Sequence, residues 1–462
     1  MKKINIIIIG LAAFIFTSCK SLYGEYKRPD VNARGLVRDS LSLTDTLEVR
    51  DTTSFANVPW HQVFTDPQLQ SLIEKGLANN TDLLNAALNV KMAEAQLKAA
   101  KLAFVPSFTF SPSGTIGSWD GGKAIVSYQM PVSASWNVDL FGNFLSQKRS
   151  SQVALLATKD YQIVVKTNII SGIANLYYSL LMLDAQMKVV NDMEKLTKDT
   201  WDKMVIMKQL SGYRSTAVQS AEANYYSVEA QKEDLQRQIR EAENSLSLLL
   251  GESAQTITRD KLENQNLPSN FSTGIGIQML NNRADVHYAE MSLAKCFYNV
   301  ETARSRFYPS LTISPTGAFT NSAGSAIINP GKILLSAVGS LVQPIFNKGQ
   351  LIAGLAVAKA QYEQSYNTWQ NTILKAGSEV SNALVLYNAS DRKSQIETKR
   401  IEVLKHNVSD TEKQVADSRS TYLEVITAQQ TLLNAELSKI ADDFYKMQAV
   451  VNLYQALGGG TK

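Results

Sequence analysis

The chain has 462 residues, 44% of them hydrophobic, with 46 basic side chains against 42 acidic ones. That near-balance excludes a basic nucleic-acid-binding field, and only 11 prolines and 24 glycines exclude a disordered or collagen-like chain. His61, His287 and His406 stand at no metal-ligand spacing, so neither a metal nor another cofactor is expected.

The first element is a targeting segment. "MKK" supplies a positive start and "INIIIIGLAAFIF" an apolar run. "FTSC" then resembles the lipobox of bacterial lipoproteins, with Phe16 where an aliphatic residue is usual. Residues 1–18 read as a signal peptide and Cys19 as the lipidated first residue of the exported chain. Cys296, in a helical pattern, reads as a packed thiol. No later stretch carries 18 uninterrupted apolar residues, so no second helix is expected to cross a bilayer.

"FVPSFTFSPSG" (104–114) returns as "FYPSLTISPTG" (307–317), an offset of 203. "GYRSTAV" (212–218) matches "DSRSTYLEV" (417–425), and "LLLGE" (248–252) matches "QALGG" (455–459), so the offset drifts to 207. The chain is an internal duplication. Its expected parts are the signal peptide 1–18, a lipidated segment 19–66, a first repeat 67–251, an equatorial linker 252–275, a second repeat 276–458 and a tail 459–462.

Each repeat reads helix, strand, strand, helix, helix. A helix over about 67–104 precedes Pro106, and one over about 277–307 precedes Pro309, because proline forbids continuation. Strands follow. In "VSYQMPVSASWNVDL", Val126, Tyr128, Met130, Val132, Ala134, Trp136, Val138 and Leu140 alternate with polar residues and Pro131. An apolar-out, polar-in strand suits a transmembrane barrel. "SWDGGKA" (118–124) and "NSAGSAIINPG" (321–331) read as turns, while 333–343 is apolar on both faces.

Long helices come next, over about 143–210 and 347–416, each roughly 100 Å long. Return helices over about 215–250 and 420–457 are half that length. Ile169, Ile173, Leu176, Leu180, Leu183, Met187 and Val190 step by 4 and 3, as do the residues from Tyr362 to Tyr387 and from Leu433 to Tyr454. A mean spacing of about 3.5 is a coiled-coil seam. Each long helix is expected beside two stacked short ones.

These residues resemble the TolC-like outer membrane factors, and among them the OprM-like efflux lipoproteins. The resemblance spans nearly the whole mature chain. "YKRPDV" (26–31), "VPWHQVFTDPQLQSLIEKGLANNTDL" (58–83), "NNRADVHYAEMSLA" (281–294), "FYPSL" and "LVQPIFNKGQL" (341–351) carry it, with Ala284 in place of a usual proline and Lys348 in place of a glycine. It implies a homotrimer with four strands per chain, a transmembrane β-barrel continuing into a periplasmic α-helical barrel. It also implies outer membrane lipid around the barrel, a periplasmic adaptor protein and an inner-membrane transporter as partners. The helix tips "KQLSGYRST" (208–216) and "QVADSRSTYL" (414–423) would meet the adaptor and gate the duct. The site residues so implied are Gly212, Arg214, Ser215 and Thr216, then Asp417, Arg419, Ser420 and Thr421. Ser420 stands where an aspartate often narrows the pore. Pro106, Pro309 and Pro344 mark the helix–strand junctions.

The chain is compatible with three kinds of function. A passive exit duct needs lipid-facing strands. A non-conducting coiled-coil scaffold does not. An enzyme would need a nucleophile elbow, phosphate loop or metal spacing, none of which is present, since "GGG" (458–460) follows no strand. The reading is a duct for resistance-nodulation-division drug efflux, with type I protein secretion as the alternative.

Overall fold

A computed structural model describes residues 24–30, 55, 58–118, 120–211, 214–268, 283–320, 333–416 and 421–460. The helices are α1 (Trp60–Val63), α2 (Pro67–Asn79), α3 (Thr81–Leu102), α4 (Asn143–Ser211), α5 (Ser215–Leu249), α6 (Ala284–Ser305), α7 (Gln350–Ala416) and α8 (Tyr422–Ala456). The strands are β1 (Ser107–Phe110), β2 (Ser113–Gly117), β3 (Ile125–Val138), β4 (Ser310–Thr320) and β5 (Ile333–Val342). The chain divides into two compact units.

The first unit holds Leu88–Asp160 and His287–Asn371 and contains all five described strands. They form one antiparallel sheet in the order β1-β3-β4-β5, with β2 also on β3. β1 and β2 keep one register against β3, Ser107 facing Ser135 and Gly117 facing Ile125. They are therefore one strand line interrupted at Ser111–Pro112. The interruption sits opposite Pro131, which has no N–H to give; Ser111 N–H still reaches the Pro131 carbonyl at 3.3 Å. So the expected four strand lines are present as five segments.

The second unit holds Tyr161–Val286 and Thr372–Lys462 with the segment ending at Ala87. The predicted seam from Ile169 to Val190 is buried or half-buried throughout. Ile173, Tyr177, Leu180, Leu246, Val451 and Tyr454 share one core with Trp60, Phe64 and Leu69. α5 and α8 are both 35 residues long, and each ends in the same way. Gly251 and Gly458 take φ of +72° and +88°, where a side chain is strained. The next amide, of Glu252 or Gly459, donates back to Ser247 O at 3.0 Å or Tyr454 O at 2.8 Å. That is a Schellman stop, written twice.

Two expectations are corrected. The helix over 67–104 is broken at Asn80, whose backbone is extended (φ −62°, ψ 125°). Its side chain explains the break. Oδ1 accepts from Asp82 and Leu83 N–H at 2.9 and 3.2 Å, capping α3, and Nδ2 donates to Leu249 O at 2.9 Å. The glycines at 458–460 are not a loose tail either. They are buried, and Gly460 N–H donates to the Tyr454 hydroxyl at 2.9 Å. A Cβ on Gly459 would strike the Tyr454 ring, so only glycine fits.

Candidate functional site: the two-faced sheet and the helix-hairpin ends

The register places Phe108, Ala134, Pro315 and Ala337 in one row across the sheet. Phe110, Val132, Gly317 and Leu335 form the next row. These belong to one face, which continues through Met130, Trp136 and Phe319, all exposed. The opposite face carries Ser107, Thr109, Ser127, Ser133, Asn137, Thr312 and Thr316. There Ser133 and Thr316 hydroxyls bond at 3.2 Å, and Thr312 donates to Asn137 Oδ1 at 2.6 Å. An apolar face left bare while the other is hydrogen-bonded is the arrangement a lipid-facing barrel wall requires. On β5 the polar face also bears Val338 and Val342, the weakened alternation expected there.

Pro106 and Pro309 directly precede β1 and β4, and Pro344 follows β5. Aromatic rings collect at these junctions. Trp136 donates its indole N–H to Phe104 O at 3.0 Å, Phe141 stacks on Tyr308 with centroids 5.0 Å apart, and Lys148 lies over Phe104. Rings with a polar handle suit a membrane interface. Helices restart at Gly142 and Gly349, with φ of +71° and +78°. Beside the second stands Lys348, at φ +47°, a conformation that costs a side-chain-bearing residue energy.

The hairpin ends lie in the second unit. At the first, Arg214 caps α5 with extended backbone (φ −61°, ψ 128°) and no side-chain bond. Lys208 Nζ donates to Ser215 Oγ at 3.3 Å, and Arg214, Ser215 and Thr216 are exposed. At the second, Thr421 caps α8 and donates to Glu424 Oε1 at 3.4 Å. Behind these ends Met204, Val218 and Ala221 are buried with Trp201, Val205, Tyr422 and Ile426 packed on them. Gly212, Asp417, Arg419 and Ser420 lie outside the described residues, as does Cys19.

The profile of the outer membrane efflux protein family matches the chain twice, over residues 72–252 and 277–459. The chain belongs to that family. This efflux protein is 27% identical over 458 residues to the cation efflux system protein CusC of Escherichia coli K12, covering 97% of this chain and 98% of CusC. It is 26% identical over 469 residues to the probable outer membrane lipoprotein SilC of Salmonella typhimurium, covering 100% and 99%. The solved outer-membrane channel OprN shares its fold, with a TM-score of 0.84 at 22% identity over 95% of this chain and 99% of that one. The efflux protein is thus an outer membrane exit duct, of the barrel-and-helical-tunnel fold. Among the described residues, no helix is long and apolar enough to cross a membrane, and no group of three or more His, Cys, Asp and Glu could hold a metal.

Sequence reasoning missed the buried ionic ties of this efflux protein. Arg259 grips Asp184 through Nε at 2.5 Å and Nη2 at 2.9 Å, and Glu243 through Nη1 at 2.6 Å. Asp184 and Glu243 hold the guanidinium above even its usual range. Arg283, buried, bonds Asp285, Glu379 and the Ala456 carbonyl at 2.7 Å each. It is the arginine of the "NNRADV" phrase, so that phrase gave the signal. Arg259 sits in "ITRDKLEN", where nothing in the spacing marks a partner 75 positions earlier.

Proposed function

We propose that this protein is the outer membrane component of a tripartite efflux system, a passive homotrimeric duct rather than an enzyme. It would open at its periplasmic helix tips and couple through a periplasmic adaptor to an inner-membrane pump of the resistance-nodulation-division class. The observation that carries the oligomer is the open sheet. Four strand lines leave both outer edges, β1/β2 and β5, without a neighbour among the described strands. An unpaired backbone group in lipid costs several kcal/mol, about 2–7 each. Barrels begin at about eight strands, whose interior is filled by side chains. Three copies supply about twelve strands and a water-filled passage.

The repeats at 67–251 and 276–458, with 252–275 between them, would act as two near-equivalent wedges per chain. Cys19 would carry the acyl anchor; more than one chain is needed, since one alone binds only marginally. The gate and adaptor contact fall to Gly212, Arg214, Ser215, Thr216, Asp417, Arg419, Ser420 and Thr421. Native mass spectrometry in detergent tests the oligomer, with a trimer expected. A stable monomer that keeps its strands in a membrane would overturn it. Single-channel conductance and adaptor binding test the tips. Gly212→Val, Asp417→Lys and Arg419→Glu should alter one or both while assembly persists. If all three leave both unchanged, the gate lies elsewhere.

A further inference from the structure

The seam joining α4, α7 and α8 is mostly apolar but holds several buried polar side chains, among them Asp442 of α8, which Lys393 of α7 reaches at 2.6 Å, and Gln429. Gln429, about two turns into α8, is fully buried at 0% exposure. Its Nε2 donates to Oγ1 of Thr200 on α4 at 3.0 Å. The same nitrogen reaches Oε1 of Glu412 on α7 at 3.4 Å, a long contact. Its own Oε1 is buried and has no hydrogen-bond partner. Thr200 cannot serve that oxygen here, because its proton goes to Leu196 O at 3.0 Å.

The layer divides apolar clusters. Toward the hairpin ends lie Met204, Val218 and Ala221. On the other side lie Leu183, Val190, Met193 and Leu433. A leucine at position 429 would join the two and leave no acceptor unpaired. A buried polar group at a coiled-coil seam lowers stability, and its best-attested use is to set which helix register is taken. An amide has two different edges, so one carboxamide can hold two different sets of partners.

We infer that the Gln429 layer is the hinge of the tips. In the state described here its amide edge holds Thr200 and its oxygen is unpaired. In the second state the carboxamide turns over. The Thr200 hydroxyl then leaves Leu196 O and donates to Gln429 Oε1, while Nε2 is released to close on Glu412, drawing α7 toward α8 with the α4–α8 link kept. The first state leaves Gln429 Oε1 unpaired and the second gives up the bond from Thr200 to Leu196 O, so a modest push from a partner at the tips moves the balance. The inference rests on the duct reading and names the element that would move its gate.

The test is single-channel recording of the full-length protein in planar bilayers, with Gln429→Leu and Thr200→Val. Leucine removes the unpaired acceptor of one state and every bond of the other. Open probability should shift by at least about fivefold, with unit conductance, trimer yield and adaptor binding preserved. Thr200→Val should shift it too, and the double variant should add little to the larger single effect. Should Gln429→Leu fail to assemble, Thr200→Val alone decides. Variants that gate within about twofold of the wild type, even if they melt higher, would overturn the hinge and leave the duct intact. A wild type that passes no current would instead overturn the duct reading itself.

Discussion

The hydroxyl of Tyr177, in the middle of α4, donates to the carboxylate of Asp66 at 2.5 Å, across 111 positions of sequence. Asp66 Oδ2 also accepts from Gln265 Nε2 at 2.8 Å, and its Oδ1 caps α2 through Gln68 N–H at 2.8 Å. One carboxylate therefore holds α2, the long helix α4 and the segment around Gln265. Burial raises the Tyr177 hydroxyl well above the usual tyrosine range, so it stays a donor. Asp66→Ala should cost about 2–3 kcal/mol, from the lost cap and two stranded partners. Tyr177→Phe should cost about 1 kcal/mol, since the cap survives. Denaturant unfolding in detergent, followed by tyrosine and tryptophan fluorescence, measures both; equal losses would contradict this division of roles.

Arg259→Ala should be more damaging than its partly exposed position suggests. It leaves the Glu243 carboxylate, 7% exposed, without its cation. Breaking a buried pair from one side costs about 3 kcal/mol or more. The linker should then become cleavable, and limited proteolysis should show new cuts within 252–268. Arg259→Lys should rescue only part of the loss, because lysine cannot match the forked grip on Asp184.

Lys348→Gly should stabilise the protein by about 1 kcal/mol by relieving the left-handed backbone at φ +47°. Glycine already occupies the adjoining left-handed position at Gly349 and the corresponding one before α4 at Gly142. A lower melting temperature for Lys348→Gly would mean that the lysine side chain has a role at the junction that outweighs its backbone cost.

The sheet's two faces should respond oppositely to charge. Leu335→Arg, on the bare apolar face, should cost about 2–4 kcal/mol near mid-membrane and reduce the yield of membrane-inserted protein. Ser133→Arg, on the hydroxyl-lined face, should leave the yield near wild type and change ion selectivity. Heat-modifiable migration on gels and reversal potentials read the two effects separately.

Asp160 gives a pH signature. Burial raises its carboxyl above the usual 3.8, and His287, 2.6 Å away, pulls it partly back. A carboxyl raised on folding contributes stability below its unfolded value and loses it as pH rises through the folded value. Asp160 should therefore make the melting temperature decline from about pH 4 upward, and Asp160→Asn should flatten that decline. A steeper decline in the variant would show that the His287 contact dominates instead.

Much of the fold was legible because it is periodic. The step of 4 and 3 from Ile169 to Val190, the alternation through β3 and the repeated phrase at Phe104 and Phe307 all follow from one-dimensional spacing. What escaped notice has no period. Asn80 lies among strong helix formers, and only the Leu249 carbonyl and two nearby amides make a break favourable there. Arg259 and Gln429 look like ordinary helix or loop residues until partners far away in sequence are placed beside them. The glycines 458–460 suggested a tail because the ring of Tyr454, which demands them, is visible only in three dimensions. Of the residues proposed for the gate, Arg214, Ser215, Thr216 and Thr421 fall at exposed hairpin ends, where the turn phrases placed them.

The open edges of the sheet also bear on how the protein is made. A single newly exported copy has β1/β2 on one side and β5 on the other, both able to pair and neither paired among the described strands. If the duct is the homotrimer proposed above, such a copy has no low-energy place in a bilayer, and insertion and association become one event. The yield of finished ducts would then depend on encounter rate, rising more steeply than linearly with expression. Unassembled copies would persist in the periplasm as protease substrates or as edge-to-edge aggregates. Pulse-labelling at several expression levels would reveal this as a lag that shortens with concentration. A concentration-independent lag would indicate that a helper covers the edges of each copy until its partners arrive.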